Sequence, residues 1–150
     1  MIDGVKIVKL AVKAEPGGKT MDLMKSTDPH FTKFGEIYFS CAYPGAIKAW
    51  HIHQSMTLNN VVVSGRARLM MYDSRPESPT NGEVQEVLLG DDNYCLVQIP
   101  PGIVNGYQVY GDELVILANC ATEPHDPEEI IRIDPFSPDV PYSWELNNGS

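Results

Sequence analysis

The chain has 150 residues, 43% of them hydrophobic, which suits one domain with a sizeable core and excludes a disordered chain. Twenty Asp and Glu stand against eleven Lys and Arg, so the formal net charge is −9, which disfavours nucleic acid and anionic membrane surfaces as partners. No apolar run approaches the ~20 residues of a membrane helix, and no signal peptide opens the sequence, so the expected setting is cytoplasmic.

Val5 to Lys13 alternates as a first strand, and Glu15-Pro16-Gly17-Gly18 is a turn. Thr20 is placed to cap a short helical turn over Met21 to Lys25, which ends before Asp28-Pro29. Glu36 to Tyr43 is rich in β-favouring and aromatic residues, and Pro44-Gly45 turns the chain. Ile47 to His53 follows as a strand. Strict alternation puts Ile47, Ala49, His51 and His53 on one face, with Lys48, Trp50 and Ile52 on the other. Asn60 to Val63 and Ala67 to Tyr72 read as a hairpin about Ser64-Gly65. Asp73 to Gly82 is a surface loop. Glu83 to Leu88 and Tyr94 to Ile99 are strands around the Gly90-Asp91-Asp92-Asn93 turn. Pro100-Pro101-Gly102 is a corner before strands at Tyr107 to Tyr110 and Leu114 to Cys120. In the tail, Asp126 caps a helical turn with Pro127 at its first position. Eight or more short strands without a long amphipathic helix predict an all-β jelly roll spanning residues 1–150 as one domain.

Cys41, Cys95 and Cys120 are odd in number and widely spaced, with no Cys-x-x-Cys pair, and read as reduced, buried strand residues. Trp50 reads as a core or subunit-contact residue. Arg66 and Arg68 read as solvated, and His30 and His125 as surface-loop residues.

Gly45, His51, His53 and Gly65 keep the spacing of the first cupin signature, with Leu58 where that signature has Glu. Pro100 and Gly102 keep the second, with Asn105 where it has His. Half of the usual metal set is therefore absent, because metal binding needs several convergent donors. A two-histidine metal site remains one of the readings.

From about Gly4 to Trp144 the chain also resembles the dTDP-4-dehydrorhamnose 3,5-epimerase family, the RmlC-like cupins. The resemblance is carried by Tyr43-Pro44-Gly45-Ala46-Ile47-Lys48-Ala49-Trp50-His51, Val62-Val63-Ser64-Gly65, Asp73-Ser74-Arg75 with Ser78-Pro79-Thr80, Ile99-Pro100-Pro101-Gly102 with Gly106-Tyr107, Asn119-Cys120, and Ile131-Arg132-Ile133-Asp134-Pro135 with Trp144. It implies a cupin-type jelly roll, a homodimer, and proton transfer on a nucleotide-linked 4-keto-deoxysugar with no metal or other cofactor. In the family a histidine held by an aspartate removes a proton beside the keto group, a cation stabilises the enolate, and a tyrosine returns a proton on the other face.

By this resemblance His51 is the base and Asp134 its partner. Lys48 takes the place of a diphosphate-binding arginine. His53, Asn105, Tyr107 and Lys19 are further substrate-binding candidates, Lys19 because Gly17 to Thr20 replaces an Arg-Gly-Phe-Phe segment. Leu58 falls near the family's enolate lysine, Asn105 replaces a second histidine, and Ala118 falls at its tyrosine. Tyr107, Tyr110 and Tyr72 are alternative phenols. Three readings follow: an epimerase or isomerase, a catalytically silent sugar-nucleotide-binding cupin, and the two-histidine metal cupin. Lys48 joins His51 in one cavity only if Ala49 marks a bulge or a subunit contact intervenes. An aromatic strand such as Glu36 to Tyr43 could pair across a two-fold axis.

Overall fold

The computed structural model describes residues 1–145 and is all-β, with no helix among them. Twelve strands run in chain order: β1 (Lys6–Lys9), β2 (Val12–Glu15), β3 (Gly18–Met21), β4 (Glu36–Ala42), β5 (Ile47–His53), β6 (Leu58–Ser64), β7 (Ala67–Asp73), β8 (Val84–Leu89), β9 (Cys95–Ile99), β10 (Ile103–Val109), β11 (Val115–Ala121) and β12 (Ile130–Arg132). One sheet has the order β1-β9-β6-β11-β4 and the other β12-β5-β10-β7-β8, while β2 and β3 pair by themselves.

Alternation decides what each sheet buries. On β7, Leu69 and Met71 enter the core between the sheets, while Met70 faces outward. On β6, Leu58 and Val62 point inward and Val61 outward. Burying one such aliphatic side chain stabilises the fold by about 1.5–3 kcal/mol. The outer face of the second sheet is covered by the C-terminal segment: Trp50 stacks 4.8 Å from Trp144 and donates its Nε1–H to the Pro135 carbonyl at 3.2 Å. Trp50 is thus a core residue.

Several expectations are corrected. Val5 to Lys13 is two strands, because β1 joins β9 whereas β2 leaves the sheet to pair with β3. Thr20 and Met21 belong to β3, so the expected helical turn does not form; Met21, Leu23 and Met24 instead pack on the outer face of the first sheet. The stretch around Ser64-Gly65 is a crossing between sheets and not a hairpin, since β6 pairs with β9 and β11 while β7 pairs with β8 and β10. Gly65 is required there: its φ is +78°, and an added Cβ would lie 2.3 Å from the Leu114 carbonyl oxygen. His30 is buried and its carbonyl accepts the Gln98 amide, whereas Cys41 is exposed. Arg66 is exposed as expected, whereas Arg68 is half-buried and pairs with Glu86; both lie over the Tyr110 ring, at 4.8 and 5.1 Å. The single Asp126 turn does form, with the Glu128 N–H bonded to its carboxylate and the Glu129 N–H to its carbonyl.

The Asp73 to Gly82 loop is organised by one carboxylate. Arg75, Ser78 and Thr80 all donate to Asp73. The Arg75 bond first, then the two hydroxyls, outweigh burial and hold Asp73 well below the usual carboxylate range.

Candidate active site

Between the sheets, at the end formed by β4 and β12, lies a cavity of about 570 Å³, within the roughly 300–1,000 Å³ of small-molecule sites. His51, His53, Lys48, Asn105, Tyr107 and Arg132 line it from the second sheet. Tyr38, Ser40, Leu58, Asn60 and Leu117 line it from the first.

Strict alternation would separate Lys48 from His51, yet both reach this cavity. Asn105 pairs with His51 and Tyr107 with Lys48, so β5 spends one more residue than β10 over this interval. The extra residue is a bulge at Ala49-Trp50, which sends Trp50 outward and returns His51 to the inner face. Gly106 lies opposite the bulge. A Cβ there would lie 2.5 Å from the Ala49 Cβ and 2.9 Å from the Lys48 carbonyl oxygen, so only glycine lets the backbones approach this closely. Asn105 fastens the same place, donating its amide to the His51 carbonyl at 3.3 Å and to the Ile103 carbonyl at 3.2 Å.

The two histidines differ in their partners. His51 is half-buried, and burial, followed by the charges of His53, Arg132 and Lys48, lowers its pKa to about 4. In neutral solution it is an uncharged imidazole able to accept a proton. His53 is buried and its Nδ1 bonds Glu129. The same carboxylate accepts the N–H groups of Gln54, Ser55 and Met56, at 3.1, 3.0 and 3.1 Å. Burial alone would raise Glu129, but the His53 bond and these backbone donors bring it down to about 2. With Nδ1 so engaged, Nε2 is the His53 nitrogen left for a ligand.

Asp134 does not hold His51. Its Oδ1 accepts the Phe136 N–H at 2.7 Å in an exposed turn outside the cavity. β12 places Arg132, and not Asp134, opposite His51. Lys19 lies on the exposed β2–β3 hairpin and does not line the cavity. Lys48, His53, Asn105 and Tyr107 do. Tyr107 is buried, its hydroxyl is 2.8 Å from Ser40 Oγ, and Lys48 Nζ donates to that same oxygen at 3.2 Å. Leu58 presents an apolar side chain to the cavity. Ala118 faces outward, because Leu117 and Ala121 point in and the strand alternates. Asn119 is the inward neighbour, and its Nδ2 donates to the Tyr38 hydroxyl at 3.1 Å.

Glu129, Arg132 and Tyr38 were not anticipated. Glu129 ends the turn before β12 and Arg132 ends β12 itself, a short tail strand whose partner the sequence does not reveal. Tyr38 follows from the inward register of Glu36, Tyr38 and Ser40 once the burial of Ala42 is known. Among the described residues no three His, Cys, Asp or Glu side chains are placed to hold a metal ion. The described residues form no helix long and apolar enough to cross a membrane.

Fold and cavity together define a cupin-type jelly roll with a cavity lined by histidines, phenols and two cations. The chain belongs to the dTDP-4-dehydrorhamnose 3,5-epimerase family, whose sequence model matches residues 1–149. It is 33% identical to the spore coat polysaccharide biosynthesis protein SpsL of Bacillus subtilis, over 86% of this chain and 85% of that one. It is also 33% identical to the probable low-salt glycan biosynthesis epimerase Agl13 of Haloferax volcanii, over 94% and 88%. A dTDP sugar isomerase from Desulfovibrio desulfuricans superimposes with a TM-score of 0.94 at 37% identity, over 95% of this chain and 92% of that one.

Proposed function

We propose that the protein epimerises a nucleotide-linked 4-keto-deoxysugar, with His51 taking the proton from the carbon beside the ketone. The observation that carries this reading is a half-buried imidazole facing a cavity whose cations, Lys48 and Arg132, come from the same wall. A keto group acidifies the neighbouring C–H by spreading charge onto oxygen, and a nearby cation stabilises that charge. A substrate diphosphate pairing with Lys48 and Arg132 would also relieve two of the charges that depress His51, making it a stronger base when substrate is bound. His53, Asn105 and Tyr107 complete the binding surface. Asp134 and Lys19 take no part in this reading, because neither lines the cavity.

The sheet edge at β4 exposes Ile37, Phe39 and Tyr43. This supports a homodimer in which the edge is covered. The unpaired cysteines suit the cytoplasm. The test is proton NMR of dTDP-4-keto-6-deoxyglucose with the folded protein in D₂O. Loss of the C3 or C5 proton signal with appearance of an epimer is expected. Thermal stabilisation by dTDP with no exchange would overturn the reading in favour of a silent binding protein.

A further inference from the structure

Inverting a carbon requires the proton to leave by one face and another to arrive at the opposite face. His51 and His53 both hang from β5, in the second sheet. A donor for the opposite face belongs on the facing wall, which the first sheet forms from β4, β6 and β11, with His125 adding from the exposed loop after β11. From β6 and β11 that wall presents Leu58, Asn60 and Leu117, none of which carries an O–H. β4 presents Glu36, Tyr38 and Ser40.

Ser40 is already engaged with the other wall, through Tyr107 at 2.8 Å and Lys48 at 3.2 Å. Tyr38 is placed differently. It pairs directly with Asn119 across the β4–β11 ladder, and the Asn119 amide donates to its hydroxyl oxygen. Because the amide is the donor, this bond does not use the phenolic proton. The bond also steadies the negative charge that remains on oxygen once that proton has left. Tyr38 lines the cavity, so water that enters between turnovers can return a proton to its hydroxyl.

We propose that Tyr38 is the catalytic acid of the wall facing His51. The proposal rests on the epimerase reading given above. His51 accepts the proton of the C–H bond, and that electron pair moves through carbon to the keto oxygen to give an enolate. The enolate carbon then takes the Tyr38 proton on its other face. A new C–H bond forms, the C=O is restored, and the O–H electron pair stays on the phenolate. Solvent returns a proton to Tyr38 and accepts one from His51, so the cycle closes without an oxidant or a cofactor. A phenol on β4 thereby supplies what Ala118, facing outward from β11, cannot.

The test is Tyr38→Phe in D₂O with dTDP-4-keto-6-deoxyglucose. It removes one oxygen and keeps the ring, and an unchanged melting temperature and dTDP-induced shift show that fold and binding are intact. Deuterium is expected to enter recovered substrate at C3 or C5, because His51 still exchanges and returns the proton on its own face, while the inverted product forms at least ~100-fold more slowly. Inversion at the wild-type rate would overturn the proposal. So would a parallel loss of exchange and inversion, which would place Tyr38 before proton removal. A wild-type protein that neither exchanges nor inverts would instead refute the epimerase reading, and does so without the variant.

Discussion

The wall built by β5, β10 and β12 carries His51, His53, Lys48 and Arg132, whereas the wall built by β4, β6 and β11 presents Tyr38, Ser40, Leu58, Asn60 and Leu117. The first half-buries an imidazole and sets cations beside it, and burial first, then those charges, lower its pKa. The second presents the hydroxyls of Tyr38 and Ser40 among apolar and amide side chains, with the Glu36 carboxylate at the start of β4. The division suits a reaction in which a proton leaves toward one sheet and arrives from the other. The walls also differ in how they are built: plain alternation aims Tyr38 inward, while His51 and Lys48 share a face only because of a bulge.

The largest effect is expected at His51, the proposed base. His51→Asn should lower exchange and inversion together by about 10² to 10⁴, while the thermal shift given by dTDP persists. NMR exchange rates beside a melting curve would check both halves.

Next comes the support of the histidine wall. Glu129→Gln places an amide against the N–H groups of Gln54, Ser55 and Met56 and breaks the buried pair with His53. Such a loss costs about 3–5 kcal/mol, readable as a lower urea midpoint. The acid limb of stability carries the same information. His51 has a folded pKa near 4 against an ordinary 6.5, so the unfolded chain binds more protons between these values and stability falls as pH drops through that window. Glu129 has a folded pKa near 2 against 4.5, so its contribution is full above 4.5 and disappears as pH falls toward 2. Urea midpoints taken from pH 7 to pH 2 should therefore decline in two overlapping steps. His51→Asn should remove the upper step and Glu129→Gln the lower.

How much of this was readable in the sequence follows from range of interaction. Ile47 to His53 was read with its observed bounds, and the jelly roll followed from many short alternating strands with turns between them. The His51–Lys48 pairing was readable only as a condition, because a bulge is set by the partner strand and Gly106 lies fifty-five positions away. The resemblance pairs Asp134 with His51. In the structure its carboxylate is spent on the Phe136 N–H, and the carboxylate that orients a cavity histidine is Glu129, on His53. The apparent hairpin at Ser64-Gly65 failed for a related reason: local turn chemistry does not say which of two sheets receives the next strand.

The bulge can be tested directly. Gly106→Ala forces a Cβ against Ala49 and should cost about 1–3 kcal/mol by overpacking, with a fall in kcat/KM as Lys48 and His51 lose their common face. Adding the substitution Ala49→Gly, which removes the methyl it meets, should recover part of both losses. The smallest effect is expected at Lys48→Ala. Lys48 is an exposed cation, so its loss should raise KM for the nucleotide sugar by only about the 0.2–1 kcal/mol of an exposed ion pair, and the difference should shrink as salt is added.

The division of labour between the walls is tested most directly by following label early in the wild-type reaction in D₂O. Two groups on opposite walls predict product carrying solvent deuterium at the inverted carbon while recovered substrate remains largely unlabelled. Product that keeps the original hydrogen at that carbon would mean that one group carries the proton across both faces, and would contradict the account.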